Sequence, residues 1–358
     1  MVLVEPGRLE ERTFPVPDVA DEGAVLDVEA ASVCGTDISM YRGKSDMGEL
    51  PVVLGHEVAG RIVDGSDETL ESWGVSVGDR VMPEPYLPCN NCRECYRGHY
   101  HMCSANRLYG ITLSVNTPPS IWGGYGEYMY LDPNTRVHRV GDHVSPRAAC
   151  LGSVIGNGVR WIVRKGSVSP GDSVAIVGPG AQGLATTVVA AEAGADPIVL
   201  CGLETDTPNL GLGEELGATH TIYTDTDDPV SRALEPVNAD GFDVVVVTAP
   251  AEPAVRLGIE LVRPRGRLVQ VGLGGSDPSI DLDRIVFEEI TVFGGRGQAG
   301  DVGRAMELLE RNADAIERIN SHTFSLVEAE TAINRQLPGP AADPEIIHAA
   351  IIPEKRRS

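Results

Sequence analysis

Ser173-Val-Ala-Ile-Val177-Gly178-Pro-Gly180-Ala-Gln182-Gly183 is the stretch on which the fold turns. A short run rich in β-branched residues enters three closely spaced glycines, and a small-residue, Ala-rich segment follows to Ala193. Glycines clustered in a turn are a weak signal alone. Between a strand and a helix they become specific, because backbone N–H groups at the helix N-terminus can then meet a pyrophosphate. Gly178, Gly180, Gln182 and Gly183 are accordingly candidate contacts to a dinucleotide. Outward from this turn, strand-like runs at 198–201, 219–222, 243–248 and 269–272 alternate with helical segments at 181–193, 253–262 and 302–311, and another helix ends near 214–217. That alternation predicts an α/β unit built on a parallel, doubly wound sheet.

Upstream the rhythm differs. Residues 1 to about 150 read as short strands at 24–30, 52–54, 59–63 and 79–82, punctuated by Gly and Pro, which suits a small, irregular β-rich domain. Inside it lies Cys89-Asn-Asn-Cys92-Arg-Glu-Cys95, with Cys103 eight residues on. Four thiolates at this density are the ligand set of a closed structural zinc site, and also of an iron–sulfur cluster. Buried structural cysteines have no reason to repeat at every third position, so a metal-held loop is expected, with zinc preferred. The run 28–34 feeds Gly35, where a turn would leave Cys34, Thr36 and Asp37 at a strand end.

A chain of 358 residues, 42% hydrophobic, is long enough for two domains with separate cores. Its net charge of −23 argues against nucleic acid and against anionic membrane surfaces as partners. No apolar run approaches the ~18 residues of a membrane span, and no basic-then-apolar signal pattern opens the chain. Seven cysteines, four of them assigned to one ion, point to a reducing cytoplasm.

Val33-Cys34-Gly-Thr36-Asp37, Gly55-His56-Glu57-Val-Ala-Gly60, the four-cysteine lobe and the Gly178 turn follow one another in an order and at a spacing that resemble the zinc-containing medium-chain alcohol dehydrogenases. The resemblance covers nearly the whole chain. It implies a GroES-like β-rich catalytic domain over 1–152 and 298–358 and a Rossmann domain over 153–297. It further implies structural zinc on Cys89, Cys92, Cys95 and Cys103, and catalytic zinc on Cys34 and His56. Asp37 resembles the carboxylate that fixes the histidine tautomer, and Thr36 the hydroxyl that relays the alcohol proton. Asn157 falls where the family touches the nicotinamide, though a helix-capping Asn is as good an account of it, and Gly272 joins the cofactor contacts. A small-molecule alcohol or ketone substrate and a homodimer or homotetramer are implied in the same way.

Three departures bear on function. Many relatives place a histidine where this chain has Ser39, which can pass a proton but cannot hold one near neutral pH. The third catalytic-zinc ligand should fall in Ala148-Ala-Cys150-Leu-Gly152-Ser153, yet Gly152 and Ser153 stand there. Glu57 ranks first as its replacement, ahead of Cys150 or water. The acidic residue that closes the second strand in NAD-binding relatives is also missing: Gly202 takes its place, followed by Leu203-Glu204-Thr205-Asp206. Two carboxylates would repel a 2′-phosphate, so NAD is expected, with Glu204 on the ribose and NADP as the alternative. Trp122 in its Trp-Gly-Gly segment, and the run 157–161, are similar to a bacterial branch that includes a hydroxycamphor dehydrogenase, implying a bulky or cyclic secondary alcohol. Trp122 and Tyr86 could line a pocket, but core packing is the preferred account. The activity implied is oxidation of such an alcohol to its ketone. A zinc-free quinone or enone reductase, or an inactive nucleotide-binding protein retaining the structural zinc, are the rivals.

Overall fold

The computed structural model describes residues 1–44, 48–238, 240–274, 277–337 and 339–354. They form two compact units, Met1–Ser153 with Met306–Ser358, and Val154–Ala305.

The second unit is organised around Val174–Val177, which pairs in parallel with Ile198–Gly202 on one side and Phe242–Val247 on the other. Across the sheet the order is His220–Tyr223, Ile198–Gly202, Val174–Val177, Phe242–Val247, Val262–Gln270 and Thr291–Gly294, with every pairing parallel. In chain order that is third, second, first, fourth, fifth, sixth, the doubly wound arrangement of a Rossmann sheet. The central strands are unbroken apolar runs because both faces are covered: all of Val174–Val177 and five of the six residues of Phe242–Val247 are buried. Helix Ala181–Glu192 starts at the glycine turn, with Gly180 as its N-cap.

In the first unit the central strand is Ala24–Ser32, paired antiparallel with Val58–Gly65, Tyr128–Leu131 and Ala349–Ile352. The last of these also pairs in parallel with His322–Ser325, so the C-terminal segment completes the first unit's sheet. Fifteen of the eighteen residues in Ala24–Ser32, Arg80–Pro83 and the first five positions of Val58–Gly65 are buried, which makes this sheet the unit's core.

The chain rejoins the first unit at Met306, later than the expected 298. A Cβ on Gly156 would stand 3.0 Å from Gln298 Cβ and 3.2 Å from Val302 Cγ2, and Asp301 pairs with Arg160 and Arg164, so 298–305 is tied to the start of the second unit. The expected turn at Gly35 is in fact a helix, Gly35–Tyr41, capped where the Cys34 N–H donates to Asp37 Oδ2 at 2.9 Å. No helix among the described residues is long and apolar enough to cross a membrane.

Candidate active site and metal centres

Strand Ala24–Ser32 hands the chain to helix Gly35–Tyr41 through Cys34, and the neighbouring 54–58 segment carries His56 and Glu57. One ligand atom each from Cys34, His56 and Glu57 lie within 4.8 Å of one another. His56 and Glu57 are buried, and Cys34 is partly so. Asp37, wholly buried, accepts from the N–H groups of Cys34 at 2.9 Å and Gly55 at 3.2 Å, which fixes both loops around it. Its Oδ1 stands 3.5 Å from His56 Nδ1, an electrostatic contact too long for a hydrogen bond. That contact leaves His56 Nε2 for a metal.

The electrostatics of this group call for a cation. Burial pushes the Glu57 carboxyl well above the usual carboxylate range, and the adjacent Cys34 adds to the rise. Burial and the Asp37 carboxylate push the Cys34 thiol up. Burial alone would lower His56, but Asp37 more than offsets it and leaves the imidazole above its usual value. Without a positive charge among them the anionic forms are disfavoured; a divalent ion reverses that balance. Glu57 Oε2 is buried with no hydrogen-bond partner, the signature of an atom whose partner is not protein. The donor set fits zinc.

Cys150 lies outside this group. Its sulfur is 3.1 Å from Ser32 Oγ, accepts from Asn320 Nδ2 at 3.3 Å and donates to the Arg147 carbonyl at 3.3 Å, and burial pushes its thiol up to about 12. At Gly152 the space a side chain would take is filled by the ends of Met82 and Met306, each 2.8 Å from where a Cβ would stand. Thr36 Oγ1 sits 4.0 Å from Cys34 Sγ, and Ser39 follows one turn along the same helix.

The four-cysteine lobe is a second cluster. Short strands Tyr86–Leu87 and Arg107–Leu108 pair and close its neck. The sulfurs of Cys89, Cys92, Cys95 and Cys103 lie within 4.8 Å of one another, with Cys89–Cys95 at 4.0 Å and Cys92–Cys103 at 3.9 Å. A tetrahedron with zinc–sulfur bonds of ~2.3 Å has edges of about 3.8 Å, so the spacing matches one ion and no disulfide. The backbone N–H groups of Cys95 and Ser104 bring the Cys92 thiol down to about 5. Burial and the neighbouring sulfurs push Cys95 up to about 12.

In the second unit, Gly178 has φ +111°, and a Cβ there would be 2.7 Å from Ala249 N. A Cβ on Gly183 would be 1.9 Å from the Gly178 carbonyl, so both glycines are required by close approach. Nothing lies within 4 Å of the Cβ direction of Gly180, which keeps the start of the helix open on that side. Asn157 is not a cap: it sits inside helix Gly152–Val159 and donates to Gln182 Oε1 at 3.2 Å, with its own Oδ1 buried and unpartnered. Gly272 follows the fifth strand, where a Cβ would be 2.3 Å from the Ala249 carbonyl. Beyond Gly202, the Leu203 N–H donates to Asp206 Oδ2 at 2.9 Å and the Glu204 N–H to both Asp225 oxygens at 3.1 Å. Asp225 thus joins Glu204 and Asp206 at the strand end, a residue the sequence offered no reason to pair with them.

Trp122 is core: its ring meets Tyr130 edge-on at 5.2 Å and its N–H donates to the Thr117 carbonyl at 2.8 Å. Tyr86 is also buried. A cavity of about 510 Å³ in the first unit, lined by Phe14, Val16, Val53, Ile121 and Leu326 among others, includes none of the metal-ligand candidates.

Residues 20–147 match the alcohol dehydrogenase GroES-like domain, and 181–311 match the zinc-binding dehydrogenase domain. The Mycobacterium tuberculosis H37Rv protein named "Probable alcohol dehydrogenase adh" is 38% identical over 85% of this chain and 84% of its own length. A sorbitol dehydrogenase from Halalkalibacterium halodurans is 30% identical over 94% of each chain. Among solved structures, one assigned as a zinc-binding dehydrogenase from Sinorhizobium meliloti 1021, bound to NADP, superposes with a TM-score of 0.87 over 98% of each chain at 27% identity. With the sheet order, the two metal-ligand clusters and the glycine turn, these likenesses make the chain a member of the zinc-containing medium-chain alcohol dehydrogenase superfamily, an oxidoreductase acting on CH–OH groups with a nicotinamide cofactor.

Proposed function

We propose that the chain oxidises a secondary alcohol, bulky or cyclic, to its ketone, using NAD and a zinc ion held by Cys34, His56 and Glu57. The observation that carries this is the convergence of those three ligand atoms within 4.8 Å, with Glu57 Oε2 buried and unpartnered. Zinc there supplies the Lewis acidity that makes an alcohol oxygen acidic near neutral pH, and the nicotinamide supplies the hydride acceptor.

The chain's own residues do the rest. Asp37 holds the Cys34 and Gly55 backbones and faces His56, so the ligands are positioned before substrate arrives. Thr36, whose Oγ1 lies 4.0 Å from Cys34 Sγ, would accept the substrate's hydroxyl proton while giving up its own. Ser39 passes the proton on, and solvent completes the transfer because a serine hydroxyl cannot retain it. Glu204, Asp206 and Asp225 place negative charge at the end of the second strand, which supports NAD over a cofactor with a 2′-phosphate. The sorbitol dehydrogenase among the relatives is named for a polyol, an alcohol that includes secondary hydroxyls, and supports that substrate class.

The test is metal content per chain measured beside a cofactor-coupled screen of alcohols, cyclic terpenoids included, with NAD and with NADP. Two zinc ions per chain and NAD-linked alcohol oxidation are expected. One zinc with reduction of enones or quinones, or one zinc with cofactor binding and no turnover, would overturn the proposal.

A further inference from the structure

The second strand of the parallel sheet ends at Gly202 without a side chain, and the cause lies in the glycine turn beside it. The Gly178 N–H donates to the Cys201 carbonyl at 2.9 Å, so turn and strand end are bonded directly. A Cβ on Gly202 would stand 2.7 Å from Pro179 Cγ and 3.1 Å from Pro179 Cδ. A proline ring is closed onto its own backbone and cannot swing away. With Pro179 in the turn, position 202 has no room for a carboxylate side chain, so an acidic group for this place has to come from elsewhere in the chain.

Asp206 brings one there. Its Oδ2 lies 3.2 Å from the point where a Cβ on Gly202 would stand, so its carboxylate sits where a side chain grown from Gly202 would reach. Asp206 is the N-cap residue of helix Thr207–Glu215, yet its side chain does not cap that helix; it turns back, and Oδ2 accepts from the Leu203 N–H at 2.9 Å. The helix itself is tied to the glycine turn, where Asn209 Nδ2 donates to the Pro179 carbonyl at 3.1 Å. Asp206 is half-buried by these contacts, whereas Glu204 is exposed. The bonds that hold Glu204 fix its backbone rather than its side chain: its N–H donates to Asp225, and its carbonyl accepts from Thr207 Oγ1 at 2.7 Å. A carboxylate offers about four lone-pair sites, so one bond from Leu203 leaves Asp206 able to accept from two further hydroxyls.

We propose that Asp206, and not Glu204, is the specificity-determining residue for the adenosine ribose of NAD, its carboxylate accepting from the ribose 2′-hydroxyl in place of the side chain that Pro179 excludes from position 202. The inference rests on the NAD reading above. It makes Asp206 the group that meets a 2′-phosphate first and repels it, with Glu204 and Asp225 adding charge from further out. A site built to accept from a ligand hydroxyl discriminates strongly against the analogue lacking it.

The experiment measures, by calorimetry, the Kd of NAD, of its 2′-deoxyadenosine analogue and of NADP for the zinc-loaded wild-type chain, and of the first two for Asp206→Asn and Glu204→Gln. Wild type should bind NAD about tenfold or more tightly than the deoxy analogue, as expected for a hydrogen bond to a charged acceptor. Asp206→Asn keeps an oxygen for the Leu203 N–H, so it should lose about that factor on NAD and little on the analogue, and the preference for the hydroxyl should largely vanish. Glu204→Gln should retain that preference. Equal weakening of both dinucleotides in Asp206→Asn, the outcome of a purely structural role in the 203–206 turn, would overturn this inference. So would a preference that vanishes in Glu204→Gln instead, or a wild type indifferent to the hydroxyl, and each of these leaves the NAD reading standing. A wild type that binds NADP more tightly than NAD would overturn that reading and this inference with it.

Discussion

Glu57→Gln keeps the volume of the side chain and removes the negative charge that a cation between Cys34 and His56 needs. With Gly152 carrying no side chain and Cys150 committed to Ser32 and Asn320, nothing else among the described residues replaces it. Glu57→Gln should therefore lose catalytic zinc and nearly all turnover, well beyond the roughly 10- to 100-fold of an outer-shell change. Cys150→Ser is the matched control: a hydroxyl can keep the contacts to Ser32, Asn320 and Arg147, and activity should change little. Elemental analysis with steady-state rates decides; an inactive Cys150→Ser beside a near-normal Glu57→Gln would move the third-ligand role to Cys150. His348 closes the same buried network, with Nδ1 2.7 Å from Asn320 Oδ1, and burial brings its pKa down to about 4. Because that lies below the ordinary ~6.5 of an unfolded chain, the unfolded state binds the proton first as pH falls. The stability due to neutral His348 is complete above about pH 6.5 and is lost towards pH 4, up to about 3 kcal/mol. The fall in urea midpoint between pH 7 and pH 5 should be smaller in His348→Gln; an equal fall in both proteins would remove His348 from the pH response.

At the scale of elements, the cysteine lobe is joined by the two-residue ladder of Tyr86–Leu87 on Arg107–Leu108 and by the Tyr100 hydroxyl donating to Glu84 at 2.6 Å, so a metal on its four sulfurs would hold the turns between these anchors. Cys95→Ser should lower structural zinc occupancy and expose 86–106 to protease while the Rossmann sheet stays protected; full metal content with unchanged cleavage would refute the tetrahedral site. The strand-end carboxylates give a second test. Glu204→Gln with Asp206→Asn keeps the oxygen that accepts from Leu203 N–H but removes two charges, and should raise use of NADP relative to NAD by of order tenfold. A wild-type kcat/KM that favours NADP would sink this account. Elements with a clear period were legible from residues alone: the helix over 302–311 and the strand at 174–177 stand where their patterns place them. Val262–Gln270 begins earlier than its apolar end suggests, because Arg263, Pro264, Arg265 and Arg267 disguise a strand whose residues Pro264 and Arg265 are exposed. Thr291–Gly294 was hidden because an edge strand needs no buried face, and all four of its residues are at least partly exposed. Of the metal-ligand candidates, Cys34 and His56 were legible from motif, whereas Glu57 needed the absence at Gly152 to single it out. Asp225 and the Ser32–Asn320–His348 network depend on contacts between segments far apart in the chain, which no local pattern encodes.

For the molecule as a whole, the two kinds of ligand fall on different units. Both metal clusters lie in the unit formed by Met1–Ser153 with Met306–Ser358, and the glycine turn lies in Val154–Ala305. Each unit has its own buried sheet, so each can respond to its own ligand. Metal binding is folding energy for the unit that holds it, since the ligands converge only in the native state. A dinucleotide stabilises by about 2.7 kcal/mol at a hundred times its dissociation constant. Chelation should therefore expose the first unit to protease and hydrogen exchange, most of all over 86–106 and around 34–57, while Val174–Val177 and Phe242–Val247 keep their protection. NAD should do the converse, raising protection in the parallel sheet even in chelated protein. Hydrogen exchange resolved along the chain, in the four combinations of metal and NAD, measures both effects at once. Equal loss of protection in both units on chelation would mean that metal holds the whole molecule rather than one unit, and protection by NAD confined to the first unit would displace the dinucleotide from the Gly178 turn.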